Sequence, residues 1–327
     1  MINFQYIRVS TPKAAVDALR KDNSAQLIAG GTNLVDLMKK GVAAPEKLID
    51  ITNLPLKQIE KQGDKLRIGA LALNSEVAEH ELIIKEQPLL SLALKAGASQ
   101  QIRNMATVGG NLMQRTRCPY FYNTDMPCNK RQPGAGCGAL KGFNRMHAIF
   151  GASDKCIAVH PSDMCVALAA LAANVLVTGP KGDRRIAFQD FHRLPGDTPQ
   201  KDNTLEEGEL IVAIEIPDNN FRRHVHYLKV RDRTSYAFAL VSVAVALDMQ
   251  GDTIKDIRLA MGGVAHKPWQ LTEAEHFLKG KTASESIFQQ AASLAMRTAK
   301  GFGFNNFKLK LAPNTMVEAL RVATTKA

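Results

Sequence analysis

Apolar positions in the first third of the chain switch between helical and strand-like spacing. Thr11 and Pro12 precede AAVDAL, a pattern typical of an N-cap, a proline in the first turn and an amphipathic helix. The run QLIA predicts a short buried strand, followed by a glycine turn at residues 30–33 and the helically spaced LVDLMKK. The same criteria predict strands at KLIDIT and KLRIGAL and helices at residues 74–80 and 88–95. This third is therefore predicted to be an α/β unit.

Regular spacing fails between about Thr116 and Cys156. The stretch is crowded with Pro, Gly and Asn and has no sustained apolar face. Loops of this length without secondary structure are uncommon inside compact domains and are usually functional. We therefore expect a specific reason for the order of this segment.

Regular spacing returns after the loop. Ser162 predicts the N-cap of a helix over MCVALAALAANV, and VLVT and LIVAIEI predict strands. Residues 217–223 are a plausible linker. Beyond it, HYLKV, FALVSVAVAL and TIKDIRLAMGG predict strands, followed by two or three helices. The prediction is a domain at residues 1–222, with the irregular loop at about 116–156, and a smaller α+β domain at 223–327.

Composition is that of an ordinary globular protein, with 327 residues, 45% apolar and 22% charged. No apolar run reaches the roughly 18 to 20 residues that a membrane-spanning helix needs, so membrane insertion is not expected. The first residues lack the charged start, apolar stretch and small-residue cleavage site of a secretion signal. An odd number of cysteines, five, then favours reduced thiols or metal ligands over disulfides.

The net charge of +11 is concentrated in one segment. Between Arg103 and Arg145 seven basic residues face a single acidic one, Asp125, so six of the eleven net positive charges lie there. Such a segment suits nucleic acid or an acidic partner surface, although a solvated basic face is more common. With 6% aromatic residues and one Trp, serial stacking on bases is not indicated.

Two glycine turns are candidates for phosphate binding. Ala29–Gly30–Gly31–Thr32–Asn33 follows a predicted strand and opens a helix, where backbone N–H groups can approach an anion. Val108–Gly109–Gly110–Asn111 repeats the theme, and together the turns could clamp a pyrophosphate. Either turn alone is more often a simple tight turn. There is no G-x-G-x-x-G after a strand, and Gly280–Lys281–Thr282 lacks the first glycine of a P-loop.

Four cysteines lie in or beside the irregular loop. Nine, eight and eighteen residues separate Cys118, Cys128, Cys137 and Cys156. A four-thiolate metal centre would explain how so polar a loop is ordered, and four unrelated cysteines is the alternative. Spacing does not decide between zinc and a [4Fe-4S] cluster. Cys165 falls in the helix after Ser162 and is interpreted as a small core residue.

His160–Pro161–Ser162–Asp163 ends the loop and begins that helix. Ser162 can cap the helix, and Asp163 can either belong to the cap or accept a hydrogen bond from a cofactor hydroxyl. No Ser-His-Asp, Cys-His or His-Glu constellation is evident among the scattered histidines. No catalytic residue is predicted, and the chain is interpreted as a carrier of cofactors.

Several motifs taken together resemble a known family. LIAGGTNLVDLMK, SQQIRNMATVGGNLMQRTRCPYF, PCNKR, AVHPSDMCVAL and YLKVRDRTSYAFALVSVAVAL are similar to the flavin subunit of xanthine dehydrogenase-type molybdenum enzymes, above all the periplasmic aldehyde oxidoreductases. The resemblance spans essentially the full chain. It implies an α+β fold, with a two-lobed FAD-binding domain of the vanillyl-alcohol-oxidase/PCMH type and a smaller C-terminal domain of the CO dehydrogenase flavoprotein type.

The resemblance also implies site residues. Metal ligands to a [4Fe-4S] cluster would be Cys118, Cys128, Cys137 and Cys156. The implied FAD-binding residues are Ala29, Gly30, Gly31, Thr32, Asn33, Leu34, Thr107, Gly109, Gly110, Asn111, Asp163 and Lys229. The resemblance also implies that Lys229 and the following RDRTSYAF stretch lie near the isoalloxazine ring or the cysteine-bearing loop.

In function, the resemblance implies an electron relay. A large molybdenum-cofactor subunit would oxidise aldehyde to carboxylate, a small [2Fe-2S] subunit would carry electrons, and FAD in this chain would pass them to an external acceptor. A heterotrimer assembled in the cytoplasm is expected, and export with a signal-bearing partner is left open. The alternatives are a zinc-stabilised basic nucleic-acid-binding protein and a self-sufficient flavin oxidase, which ranks last because no substrate-handling residues are evident.

Overall fold

The computed structural model describes residues 1–325, and its first lobe is a small parallel sheet. The strands pair in the order β1-β3-β2. They are β1 (Gln5–Arg8), β2 (Ala25–Ile28) and β3 (Lys47–Asp50), with helices α1 (Pro12–Lys21) and α2 (Leu34–Lys39). The predicted start of α1 is confirmed, because the Thr11 side chain accepts a hydrogen bond from the Ala14 N–H and Pro12 stands in the first turn.

A five-stranded antiparallel sheet forms the second lobe, in the order β4-β5-β8-β6-β7. Its strands are β4 (Ile59–Gln62), β5 (Lys65–Gly69), β6 (Asn174–Gly179), β7 (Gly182–Ala187) and β8 (Leu210–Pro217). Eight helices and helical turns accompany it: α3 (Asn74–Glu79), α4 (Glu81–Glu86), α5 (Pro88–Ala96), α6 (Gln100–Arg103), α7 (Val108–Leu112), α8 (Pro119–Tyr122), α9 (Asp163–Ala170) and α10 (Phe188–Phe191).

Helix α9 lies at the centre of the molecule, with all eight residues buried. The Ser162 side chain caps it by accepting from the Cys165 N–H at 3.1 Å, as predicted. The predicted extension to Val175 is wrong. Ala172 has φ of 50° and Asn174 already begins β6, so the chain reverses sharply after Ala170.

The third sheet is antiparallel in the order β12-β11-β10-β9. Its strands are β9 (His224–Val230), β10 (Val241–Gln250), β11 (Thr253–Gly262) and β12 (Trp269–Gln270), and the helices are α11 (Thr272–Leu278), α12 (Glu285–Ala295) and α13 (Lys308–Thr325). In β10 the larger Val243 and Val245 join the core with these helices, whereas Ala244 and Ala246 join the core that contains α9. Small residues on that face let the central helix pack closely on the sheet.

The stretch from Thr116 to Cys156 is irregular apart from α8, as predicted. It runs between the lobes and the third sheet. The N–H groups of Ile149 and Phe150 both donate to the Val264 carbonyl, and the Asn144 amide donates to the Phe302 carbonyl. No helix within residues 1–325 is both long and apolar enough to cross a membrane.

Candidate functional site

A groove of about 820 Å³ opens between the two lobes and the third sheet. Its walls carry backbone and side chains from both glycine turns, from the start of α9 and from the segment after β9. The lining includes Thr32, Asn33, Asn74, Arg103, Gly110, Asn111, Arg117, Ser162, Asp163, Lys229, Tyr236 and Phe238.

The first glycine turn packs closely against the chain that leads into the second turn. A Cβ atom on Gly30 would lie 1.8 Å from the Met105 carbonyl oxygen, so only glycine permits this approach. Gly31 has φ of +71°, a left-handed conformation that L side chains rarely adopt. The first turn is thereby pressed against the chain just before Thr107.

Hydrogen bonds hold the second turn. The Thr107 hydroxyl accepts from the Gly110 N–H at 3.2 Å, and the Gly109 N–H donates to the Ala70 carbonyl at 2.7 Å. The Ser162 hydroxyl donates to Asn111 Oδ1 at 2.6 Å, which links the turn to the cap of α9. The second turn is therefore held by hydrogen bonds to Ala70 on one side and to Ser162 on the other.

Half of the twelve residues predicted to bind FAD line the groove. These six are Thr32, Asn33, Gly110, Asn111, Asp163 and Lys229. Outside the lining, Gly30, Gly31, Thr107 and Gly109 shape the turns through the contacts described above. Ala29 and Leu34 flank the first turn without lining the groove.

Asp163 anchors a buried polar network in the groove wall. Its carboxylate accepts from Lys229 Nζ and from the Tyr227 hydroxyl, each at 2.7 Å. The Lys229 and Asp163 side chains are only 4% and 8% exposed. Burial, together with the negative charge of Asp163, raises the pKa of Tyr227 well above its usual value, so Tyr227 remains a hydrogen-bond donor.

Among the buried amide oxygens that have no partner within residues 1–325, two belong to residues that line the groove. They are Oδ1 of Asn33 and Oδ1 of Asn74. Buried polar atoms are nearly always paired, so these acceptors fit a ligand that brings N–H or O–H groups. Asn74 was not identified as a site residue from the sequence, because an asparagine at the start of a helix looks like an ordinary cap.

Arg117, Tyr236 and Phe238 also line the groove. The Arg117 guanidinium lies 5.3 Å from the centre of the Phe238 ring and also contacts the Tyr122 hydroxyl. Tyr236 has φ of 50°, an uncommon conformation for a bulky residue. Tyr236 and Phe238 belong to the RDRTSYAF stretch, which the resemblance placed near the isoalloxazine ring or the cluster loop. Arg117 was not identified from the sequence, because one more basic residue in a basic segment is too common to single out.

The four loop cysteines line one small cavity of about 10 Å³. Cys128 and Cys137 face each other in an isolated antiparallel bridge, and the Cys118 thiol is close enough to Cys128 and Cys156 to sense their charge. The predicted ligand set is thus gathered in one place.

Basic and imidazole groups surround this thiol cluster. His147 Nε2 lies 3.1 Å from Cys118 Sγ, and Lys130, almost fully buried, pairs with Asp202. Burial raises the pKa of Cys118 to about 12 and that of Cys156 to about 11, and Lys130 opposes the shift at Cys156. These thiols would ionise only with a further positive charge in the cavity, such as a metal supplies.

Cys165 is fully buried in α9 and belongs to the core of the second lobe. It does not line the cavity of the other four cysteines. This position agrees with its interpretation as a core residue.

Comparison with known proteins adds family-level similarity to this geometry. Residues 2–219 match the family described as the FAD binding domain in molybdopterin dehydrogenase, and residues 226–322 match the CO dehydrogenase flavoprotein C-terminal domain. Over 326 residues the chain is 48% identical to the aldehyde oxidoreductase FAD-binding subunit PaoB of Escherichia coli, covering 99% of each protein. It is 28% identical to the glyceraldehyde dehydrogenase medium chain of Sulfolobus acidocaldarius, with 89% of this chain and 86% of that one covered.

A solved structure shares the fold over almost the whole chain. Carbon monoxide dehydrogenase from Hydrogenophaga pseudoflava superimposes with a TM-score of 0.78 at 26% identity, covering 99% of this chain and 98% of that one. The predicted fold class, a two-lobed FAD-binding domain followed by a smaller α+β domain of the CO dehydrogenase flavoprotein type, is confirmed.

Proposed function

We propose that this chain, which belongs to the family of FAD-binding medium subunits of molybdenum hydroxylases, is the electron-transfer flavin subunit of an aldehyde oxidoreductase. The observation that carries the proposal is 48% identity over the full length to a subunit of that activity. The zinc-stabilised nucleic-acid alternative is not supported, because the relatives are flavin subunits of oxidoreductases.

The groove is the proposed FAD site. The backbone of the Gly30–Gly31 and Gly109–Gly110 turns would hold the pyrophosphate, and the free Oδ1 atoms of Asn33 and Asn74 would accept from ligand hydroxyl or N–H groups. Asp163 and Lys229 complete the proposed set. Bound FAD would supply the exchange of electrons singly or in pairs.

This chain contributes binding residues and, in our proposal, no catalytic residue for aldehyde oxidation. That reaction would take place at a molybdenum cofactor in a large partner subunit, with [2Fe-2S] clusters in a small subunit and an external acceptor beyond this chain. A heterotrimer follows from that division. We place the domain boundary at residues 222 and 223, before β9, and propose assembly in the cytoplasm with export depending on a signal-bearing partner.

The thiol cluster is the proposed site of a [4Fe-4S] cluster, with Cys118, Cys128, Cys137 and Cys156 as ligands. The shared cavity and the buried lysine beside it support a centre bound by thiolates. The choice of an iron-sulfur cluster over zinc rests on the family resemblance. The cavity of about 10 Å³ must still widen, by outward rotation of the cysteine side chains.

Metal and flavin analysis of the complex co-purified with its partner subunits tests the proposal. Because the small subunit brings iron of its own, iron and acid-labile sulfide are compared between variants. Cys128→Ser should remove about four iron atoms per chain and disorder the loop, whereas Cys165→Ser should leave iron unchanged. Flavin should be stoichiometric in the unmodified complex.

Three results would contradict this assignment. Protein without flavin would remove the FAD proposal, and equal iron loss in both variants would remove the ligand assignment. Zinc in place of iron at the four cysteines would replace the electron carrier with a structural ion.

A further inference from the structure

A second cluster of metal-binding side chains lies at the start of helix α9. One ligand atom from each of His160, Cys165 and His192 lies within 4.8 Å of the other two. The His160 and His192 rings are in contact, with centroids 4.2 Å apart. None of the three belongs to the four-cysteine cavity or to the residues proposed to hold FAD.

Two histidine nitrogens of this cluster are free to bind a metal ion, and a hydrogen bond fixes the tautomer of one of the two rings. His192 Nε2 donates to the Leu112 carbonyl at 2.9 Å, which leaves the lone pair on Nδ1. That Nδ1 and Nε2 of His160 are both buried without a partner among the described residues. A hydrogen bond from the other ring nitrogen, which fixes the tautomer, is typical of histidines that bind metal.

A third histidine borders the cluster from the turn after β11. His266 Nδ1 donates to the Arg193 carbonyl at 2.9 Å, and its Nε2 is likewise buried without a partner among residues 1–325. His266 lies near enough to both other histidines for electrostatic interaction. Three unsatisfied imidazole nitrogens beside a buried thiol are unusual, because buried polar atoms are normally paired.

We propose that His160, Cys165 and His192 form a buried zinc site, with His266 beside it as the candidate fourth ligand. Mixed imidazole and thiolate donors in a closed pocket suit zinc, which prefers tetrahedral nitrogen and sulfur ligands. Zinc–ligand bonds of about 2.0 to 2.3 Å correspond to ligand separations of about 3.3 to 3.8 Å, so closing from 4.8 Å requires movements of about 1 Å. Side-chain rotation supplies movements of that size.

The ion would act as a structural tie. His160 ends the irregular loop, Cys165 lies in the first turn of α9, and His192 follows α10 of the second lobe. Ser162 and Asp163, between the first two ligands, line the groove. A metal here would fix the start of α9 behind the groove without entering it.

Zinc measured per flavin in the purified complex tests the inference. After dialysis against a weak chelator, the unmodified complex should retain about one zinc, and Cys165→Ser or His192→Gln should each lower it at least about fivefold. Iron and flavin should stay unchanged in both variants, which shows that the fold survives. His276→Gln, in helix α11 and away from the cluster, is the matched control and should keep its zinc.

The four-cysteine cavity provides the second control. Cys118→Ser should lose iron and retain zinc, so failure of the iron-sulfur proposal and failure of this one are distinguishable. X-ray absorption at the zinc edge should show one sulfur at about 2.3 Å and nitrogens at about 2.0 Å, with the sulfur absent in Cys165→Ser. Absence of zinc from the unmodified complex, or zinc that is lost with Cys118 and kept without Cys165, would overturn the proposal.

Discussion

Asp163 shows how a single side chain joins the groove to the core. It neutralises the buried Lys229 ammonium, whose other partner is the Ala96 carbonyl at 3.1 Å, and it also accepts from Tyr227. The Tyr227 oxygen in turn accepts from the Ser242 hydroxyl on β10 at 3.0 Å. One carboxylate therefore connects α9, α5 and two strands of the third sheet.

Asp163→Asn should destabilise the folded chain by about 3–5 kcal/mol, because it leaves the Lys229 charge buried without a counter-ion. Urea unfolding followed by circular dichroism measures this loss. Asp232→Asn is the control, since Asp232 forms a half-exposed pair with Arg145 and should cost no more than about 1 kcal/mol. Equal losses in the two variants would show that the Asp163 network is not the source of stability.

The role of a residue can be predicted from the sequence when its immediate neighbours in the chain determine that role. Asp163 follows a recognisable cap, and the glycine turns follow a strand, so both could be found from their neighbours. Asn74 and Tyr227 could not, because each acquires its role only when distant segments meet at the groove. The same holds for His192, which reaches His160 across 32 positions of the chain.

The irregular loop is organised as an element largely by Arg131. Its guanidinium donates to the carbonyls of Tyr120, Phe121 and Thr124 at 2.8 to 3.1 Å and also to that of Met126. A planar fork with five N–H donors can serve several carbonyls at once. The Arg131 side chain thus supplies hydrogen bonds to backbone carbonyls between Cys118 and Cys128, which in a helix or sheet would be paired with backbone N–H groups.

Arg131→Lys should loosen this segment, because a lysine ammonium cannot span the same set of carbonyls. We expect faster proteolysis within residues 118–131 and at least about a twofold loss of iron, while flavin is retained. Limited proteolysis with mass spectrometry locates the cuts. Lys141→Gln removes a charge from an exposed position of the same loop and should behave like the unmodified chain; cleavage at the same rate in both would contradict the role of Arg131.

Strands missed from the sequence share one property. The four strands that were not predicted, β1, β4, β7 and β12, all stand at the edge of a sheet. All four residues of β1 are exposed, and β7 is GDRRIA, with only Ile186 buried. Edge strands bury little apolar surface, so the alternation that reveals a strand is weak. Central strands such as β8 and β10 were predicted because their apolar runs are nearly continuous.

Lys308 links the stability of the whole molecule to pH. It is fully buried at the start of α13 and donates to the carbonyls of His147 and Gly263 at 3.0 and 2.7 Å. Burial, and secondarily the charge of Arg145, lowers its pKa from 10.5 to about 7. Between these values the unfolded chain binds a proton that the folded chain has released, so this group makes stability rise with pH.

Lys308→Met should abolish that rise. From pH 7.0 to 8.5 the free energy of unfolding of the unmodified chain should increase relative to the variant by up to about 1.4 kcal/mol per pH unit. Denaturant unfolding at several pH values gives the slope. Lys310→Met, exposed in the same helix, should keep the slope of the unmodified chain. Parallel slopes for all three proteins would contradict a depressed lysine pKa.

The irregular loop is held by residues far along the chain, and this determines how late in translation the loop can fold. The backbone at residues 147–150 finds its partners at Val264, Asn305 and Lys308. The segment bearing Cys118 to Cys156 therefore cannot reach its final conformation until about residue 308 has left the ribosome. Inorganic cofactors would accordingly be inserted late in maturation, after translation of nearly the whole polypeptide, and never into a nascent N-terminal fragment.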